Sequence, residues 1–208
     1  MITIASIVEG DGEVQALPVL LRRLNEWKSP EQFFNILPPI RVRKDQFLNK
    51  EEIFRKQLQL AATLAGDSGW VLILLDADDD CPRDRGANIL GRAKEVVPHR
   101  RISLVLANKE FEAWFIASAE TLSGRRGLII RENDRPDPEG IRGCKEWLSE
   151  RIPNGKYHEV TDQPALTAFI DLALVHERSR SFRKLCKEWD SQAASILQER
   201  ESAGSQRK

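Results

Sequence analysis

Cysteine is scarce in this chain. Cys81, Cys144 and Cys186 are the 3 cysteines among 208 residues, and they stand far apart with no CxxC pair. A zinc site or a disulfide framework is therefore not an organising feature, and all three read as incidental. Histidine is equally sparse: His99, His158 and His176 are scattered and support no histidine-centred mechanism. No apolar run approaches the roughly 20 residues of a membrane span. The opening stretch MITIASIVEGDGE has no basic region and turns acidic early, unlike a signal peptide. A soluble, cytoplasmic protein with no membrane contact is the expectation. No internal repeat and no low-complexity tract stands out. At 41% hydrophobic and 31% charged residues, the chain is too apolar for a disordered one.

The residues that are present alternate between two patterns. ITIASIV at 2–8, WVLILL at 70–75 and ISLVLA at 102–107 are apolar and β-rich, as central parallel strands are. FFNILP at 33–38 reads as a shorter strand stopped by Pro38 and Pro39. Between them run helical patterns. Val14, Leu17, Leu20, Leu21 and Leu24 mark the first, 49–66 the second and 86–97 the third. KEFEAWFIASAETL at 109–122 is a fourth, in which Trp114 reads as a packing residue. The pattern predicts an α/β fold, a Rossmann-like, mostly parallel sheet flanked by helices, with a helical C-terminal extension. The expected division is a core at 1–123, a loop at 124–140 (rich in Gly, Pro and charge), a helical extension packed on the core at 141–200, and a frayed tail at 201–208.

Acidic residues punctuate the strand ends. Glu9 and Glu13 bracket EGDGE after the first strand. LLDADDDCP places Asp76, Asp78, Asp79 and Asp80 directly after WVLILL, and Glu110 and Glu112 follow ISLVLA. In open parallel sheets, ligands sit at the carboxyl ends of the strands. Carboxylates this close repel one another unless water, cations or raised pKa values offset the repulsion. A hard divalent ion, Mg2+ with Mn2+ as the alternative, takes such oxygen ligands. Two such ions can assist phosphodiester chemistry. D-x-D spacing in an extended segment puts Asp76 and Asp78 on one side, with Asp80 next. EGDGE is no P-loop, because no Gly-Lys-Ser/Thr follows. It reads either as a metal-holding turn or as a polar strand-to-helix turn whose acids favour the helix N-terminus. Net charge is zero, yet the bases cluster apart from the acids. Arg41, Arg43 and Lys44 form one run, with Arg83 and Arg85 in the next. An acidic pocket with a basic rim suits a polyanion held near metal ions, and Arg41, Arg43, Arg83 and Arg85 are the candidate nucleic-acid contacts. Ordinary solvated helix faces are the alternative.

IVEGDGE, LLDADDD and NKEFEAWF, in that order, resemble the Toprim fold shared by topoisomerases, primases and OLD-type nucleases. More closely, the chain resembles a family of small stand-alone Toprim-like proteins of unknown function. GKYHEVTDQPALTAFID and SFRKL extend that resemblance over most of the chain. The resemblance implies that Glu9, Asp76 and Asp78 hold magnesium, with Glu13 and one of Glu110 and Glu112 completing a second ion. If the helix begins at Glu110, only one of that pair can face the site, since i and i+2 diverge on a helix. Lys156, in GKYHE, is a candidate to stabilise transition-state phosphate charge. A single tyrosine, Tyr157, argues against topoisomerase-like covalent cleavage. Nuclease relatives often carry an ATPase on the same chain, so the missing Walker motif leaves room for a separate ATPase partner, in a phage-defence setting.

Three functional readings follow. The first is a Mg2+-dependent nuclease or related phosphodiester-transfer enzyme acting on nucleic acid. The second is a non-catalytic metal- or nucleic-acid-binding regulatory partner. The third is phosphotransfer, which LLDADDD faintly resembles, but it leaves the first acidic turn without a role. Adjacent placement of Glu9 and Asp76 discriminates in favour of the Toprim-like site.

Overall fold

Each long apolar stretch becomes a strand covered on both faces. The computed structural model describes residues 2–131, 134–153 and 155–205. In chain order these form β1 (Ile2–Val8), α1 (Asp11–Lys28), β2 (Phe34–Ile36), β3 (Ile40–Arg41), α2 (Lys44–Asn49) and α3 (Glu51–Ala65). β4 (Trp70–Asp76), α4 (Pro82–Val96), β5 (Arg101–Ala107), α5 (Ala113–Ala117) and α6 (Ala119–Leu122) follow. After a 3-10 turn at Arg125–Gly127 come α7 (Cys144–Ser149), α8 (Glu159–Thr167), α9 (Leu172–Arg178) and α10 (Arg180–Ser205). The last part of the expected frayed tail, 206–208, lies outside the described residues.

All strand pairs are parallel, in the order β2–β1–β4–β5, with β3 also paired to β1 beyond the end of β2. β2 and β3 thus share one edge, interrupted by Leu37, Pro38 and Pro39. Strand residues alternate between two cores, as a period of two requires. Ile4, Trp70, Leu72, Leu74 and Val105 face α1, α5 and the C-terminal helices. Ala5, Ile7, Val71, Ile73 and Leu104 face Phe47, Phe54, Leu58 and Ile89 of α2, α3 and α4. Burying each large apolar side chain contributes about 2 kcal/mol. α10 closes the first face: Trp189 packs on Trp70 and Phe34 with ring centroids 5.8 and 4.8 Å away, and its Nε1 donates to Ser29 at 3.1 Å.

Two elements differ from the periodicity. α4 starts at Pro82 rather than 86, because proline at the first turn lacks only an N–H that the helix does not use there. The helix expected over 109–122 begins at Ala113 and breaks at Ser118. Lys109 has left-handed backbone (φ 64°), so the preceding residues form a turn. No helix among the described residues is long and apolar enough to cross a membrane.

The crossover after β1 runs outward to β2, and the one after β4 runs to β5 on the other side. The direction in which the chain adds strands across the sheet therefore reverses between β1 and β4. That is a topological switch point, and it opens at their carboxyl ends.

Candidate functional site

Glu9 follows β1 directly and is half-buried at the switch point. Gly10 caps α1, and Glu13, at the third helical position, accepts the Gly10 N–H through Oε2 at 2.5 Å. Glu13 is buried and caps the helix from the cluster side. The glycines of EGDGE serve packing rather than unusual backbone. Gly10 is extended at φ −94°. A Cβ on Gly12 would lie 2.1 Å from Gln163 Oε1 and 2.9 Å from the Glu159 carbonyl, so Gly12 lets α8 lie against the start of α1.

Asp76 ends β4, on the strand adjacent to β1. Its Oδ1 accepts the Phe111 N–H at 2.8 Å, and its carbonyl accepts Lys44 Nζ at 2.8 Å. Beyond it the extended alternation stops. Asp78 has φ 50° and its N–H donates to the Lys109 carbonyl, while the Asp80 N–H closes a turn on Ala77. The three following aspartates consequently diverge. Asp78 pairs with Lys44, Asp79 with Lys109 and Arg142 at 3.3 and 2.8 Å, and Asp80 with Arg85 at 3.4 Å. Asp80 thus does not continue the side of Asp76 and Asp78, because the turn redirects it towards α4.

Glu110 and Glu112 precede α5, so the helical rule separating i and i+2 does not operate, and both sense the Lys145 ammonium. Glu110 is half-buried, and the Lys145 ammonium and backbone oppose the rise that burial causes in its carboxyl. Glu112 is fully buried; its Oε1 accepts Tyr157 Oη at 2.9 Å and Gln163 Nε2 at 3.3 Å. Glu112 Oε2, Glu110 Oε2 and Gln163 Oε1 are buried without a hydrogen-bond partner. Lys145 pairs with Glu159 at 2.8 Å.

Burial pushes the carboxyls of Glu9, Glu13, Asp76, Glu110 and Glu112 above their ordinary values. For Asp76, the charges of Glu13, Glu112 and Glu9 push in the same direction as burial. Glu112 rises to about 7, with Lys145 and Tyr157 opposing its burial. Burial pushes the Cys144 thiol up to about 12, helped by Glu110, Glu112 and Asp76, so Cys144 is a protonated neighbour of the cluster and not a nucleophile. Burial disfavours the Lys145 ammonium, but Glu112 and Glu159 more than offset it and hold it charged.

The donor set is all oxygen, which is the chemistry a hard cation takes. Among the described residues, however, no group of three or more His, Cys, Asp or Glu is posed to hold an ion. Lys44 and Lys145 stand among the acids instead.

Two depressions flank the cluster. One of ≈ 420 Å³ is lined by Glu9, Arg41, Arg43 and Lys44. The other, ≈ 1020 Å³, is lined by Asp11, Lys145, Lys156, Tyr157 and Glu159 among others. Arg41 of the first pairs with Asp11 of the second at 2.9 Å. Lys156 is exposed on the wall of the larger one, and Lys145 is the lysine that faces the acids. Arg83 and Arg85 are exposed on α4 and line neither depression, and Arg85 is engaged by Asp80.

A family model described as Domain of unknown function (DUF4276) matches residues 8–189. The chain belongs to this family. No curated protein matches it. Among solved structures it is similar to the C-terminal region of the Burkholderia pseudomallei OLD protein, at 16% identity over 93% of this chain and 98% of that chain, with a TM-score of 0.45. The DUF4276 match includes every carboxylate of the cluster. It also includes the site residues that sequence reasoning missed: Lys44, Lys145, Tyr157 as a hydrogen-bond donor, and Gln163. Lys44 adjoins the basic run of Arg41 and Arg43, which is a usable signal. Lys145 and Gln163 carry none, since only the packing of α7 and α8 on this DUF4276 fold brings them in.

Proposed function

We propose that this DUF4276 protein is a Mg2+-dependent, Toprim-type phosphodiester hydrolase acting on nucleic acid. The observation that carries the reading is the meeting of Glu9, Glu13, Asp76 and Glu112 at the switch point between adjacent parallel strands. Their carboxyls are all raised by burial, and Glu112 Oε2, like the nearby Glu110 Oε2 and Gln163 Oε1, is buried without a hydrogen-bond partner. Glu9, Asp76 and Asp78 would hold one ion, and Glu13 with Glu110 or Glu112 a second, with Mn2+ as a substitute. Asp80, paired with Arg85, is given no part. When bound, the metal supplies charge stabilisation at the phosphate and activates water. Arg41 and Arg43 bind flanking phosphates, and Lys145 balances charge beside Glu112. Glu112, near 7, holds or releases a proton at neutral pH. The 208 residues contain no Walker motif, so an ATPase, where the reaction uses one, is a separate domain or chain.

A second reading, a non-catalytic metal- or nucleic-acid-binding partner, draws on one observation. Asp78, Asp79 and Asp80 are already paired with Lys44, Lys109, Arg142 and Arg85.

Supercoiled plasmid incubated with Mg2+ or Mn2+ separates the two. Nicking by wild type, reduced at least about 10–100-fold in Asp76→Ala, is the outcome the hydrolase reading expects, since even a residue that only supports a metal ligand costs this much when lost. No nicking with either ion at high protein concentration would leave the partner reading.

A further inference from the structure

β5 ends the sheet opposite β2, and it contains neither proline nor lysine. The Ala107 carbonyl accepts the Ala77 N–H at 2.8 Å, and the Lys109 carbonyl accepts the Asp78 N–H at 3.0 Å, so the odd-numbered residues aim their backbone at β4. Ile102, Leu104 and Leu106 consequently aim their N–H and C=O outward. Among the described residues, no turn, loop or side-chain hydrogen bond reaches those groups. From Ile102 to Ala107 the strand's remaining exposure, 4–6% per residue, falls on the same three, while Ser103, Val105 and Ala107 are wholly buried. A row of unpaired backbone groups is a docking edge for another strand. The helices beside it say what kind. Arg92 of α4 reaches the Leu48 carbonyl at 2.9 Å and Glu51 at 3.1 Å, which marks the flank facing α3. At about 100° per residue, the opposite flank carries Ala87, with Gly91 one turn on. Both are exposed, and a Cβ on Gly91 would meet nothing. A Cβ on the neighbouring Gly86 would lie 3.8 Å from Leu104 Cδ2, so this part of α4 sits over the middle of β5. On α10, Glu188 accepts Ser103 Oγ at 2.5 Å and pairs with Lys184. Small residues on one flank and an unlike-charged pair on the other suit an inverted neighbour of the same make.

We propose that two copies of this chain join edge to edge through β5, antiparallel about Leu104. Leu104 pairs with its counterpart, and Ile102 with Leu106 of the partner subunit, each pair exchanging both backbone hydrogen bonds. In that register outward groups meet outward groups, and a shift by one residue would set them against inward ones. The contact is isologous and closes at two copies. The other edge of the sheet is no substitute for the second β5, because Pro38 and Pro39 divide it into runs of three and two residues. Ala87 approaches its counterpart near the two-fold axis, and two Lys184–Glu188 pairs lie alongside with opposite sense. The joined sheet carries its two switch-point sites at opposite ends. This contact is independent of the hydrolase reading.

Sedimentation velocity on the full chain, over a dilution series, should give twice the chain mass at high concentration and the chain mass on dilution. Amide hydrogen exchange, followed residue by residue by NMR, should show Ile102, Leu104 and Leu106 protected about tenfold or more in the dimer relative to the dilute chain. Ser103 and Val105 should be protected in both, since β4 holds them. Ala87→Glu sets like charges beside the two-fold axis from an exposed helical position, and should weaken dimerisation about 100-fold or more. Leu60→Glu, at an exposed leucine of α3 beyond α4 from this edge, should leave it unchanged. A dimer whose three outward amides exchange as in the dilute chain overturns the β5 contact, as does one that Leu60→Glu disrupts and Ala87→Glu does not. A chain that stays monomeric at every concentration, or whose mass keeps rising beyond two copies, overturns it as well.

Discussion

Glu112 is the carboxylate with the largest structural consequence, because it is fully buried and one of its oxygens has no partner. Its ordinary value of 4.5 is raised to about 7 in the fold. Between those values the native protein keeps a proton that the unfolded chain has released, so stability falls as pH rises. Below 4.5 both states are protonated and nothing is lost; above 7 the full cost, about 3 kcal/mol, is present. Glu9, Glu13, Glu110 and Asp76 are raised as well and act in the same sense. In chelator, the thermal midpoint should therefore drop by roughly 5–10 °C between pH 5 and pH 8. Calorimetry on Glu112→Gln should show a shallower drop, and an equal slope would sink the assignment. The acids themselves were legible because apolar strands end abruptly in carboxylates. The cations were not. Lys145 reaches Glu112 only through the packing of α7, and Asp80 leaves the site through a backbone turn at Asp78 that side-chain alternation does not encode.

At the scale of elements, the contact between α1 and α8 decides whether the site is assembled. Gln163 of α8 bonds Glu112, and Gly12 of α1 makes the space for it. Replacing a glycine inside a helix by alanine ordinarily stabilises by about 1 kcal/mol. Gly12→Ala should do the reverse and cost about 1–3 kcal/mol, because its Cβ would meet Gln163 and the Glu159 carbonyl at 2.1 and 2.9 Å. Gly10→Ala should cost less, since Gly10 is extended and its nearest neighbour is a side-chain oxygen at 3.2 Å. Urea unfolding of the two variants checks the contrast. β1, β4 and β5 were readable as continuous apolar runs of central-strand length. β3 has two residues and α2 six, too few for any period to register. The start of α5 was misread because Phe111, apolar and in phase with the helix, gives its N–H to Asp76 instead.

At the scale of the molecule, the C-terminal helices and the strands share one core, from Ile4 through Trp114 to Trp189. Trp189 is fully buried on α10 and touches Trp70 at the start of β4 and Phe34 of β2. Trp189→Ala should cost about 3–5 kcal/mol and be felt across the sheet, as a single cooperative transition at lower denaturant. Two separate transitions would mean instead that α10 unfolds alone. The divided edge of the sheet has a further effect. β2 and β3 each pair with β1 for a few residues, and Pro38 and Pro39 lie between them. An incoming strand would meet the three residues of β2, then Leu37 and two prolines with no N–H to offer, then the two residues of β3. A second copy of the chain has no continuous template there on which to extend the sheet, so this side of the molecule is guarded against fibre-like self-association.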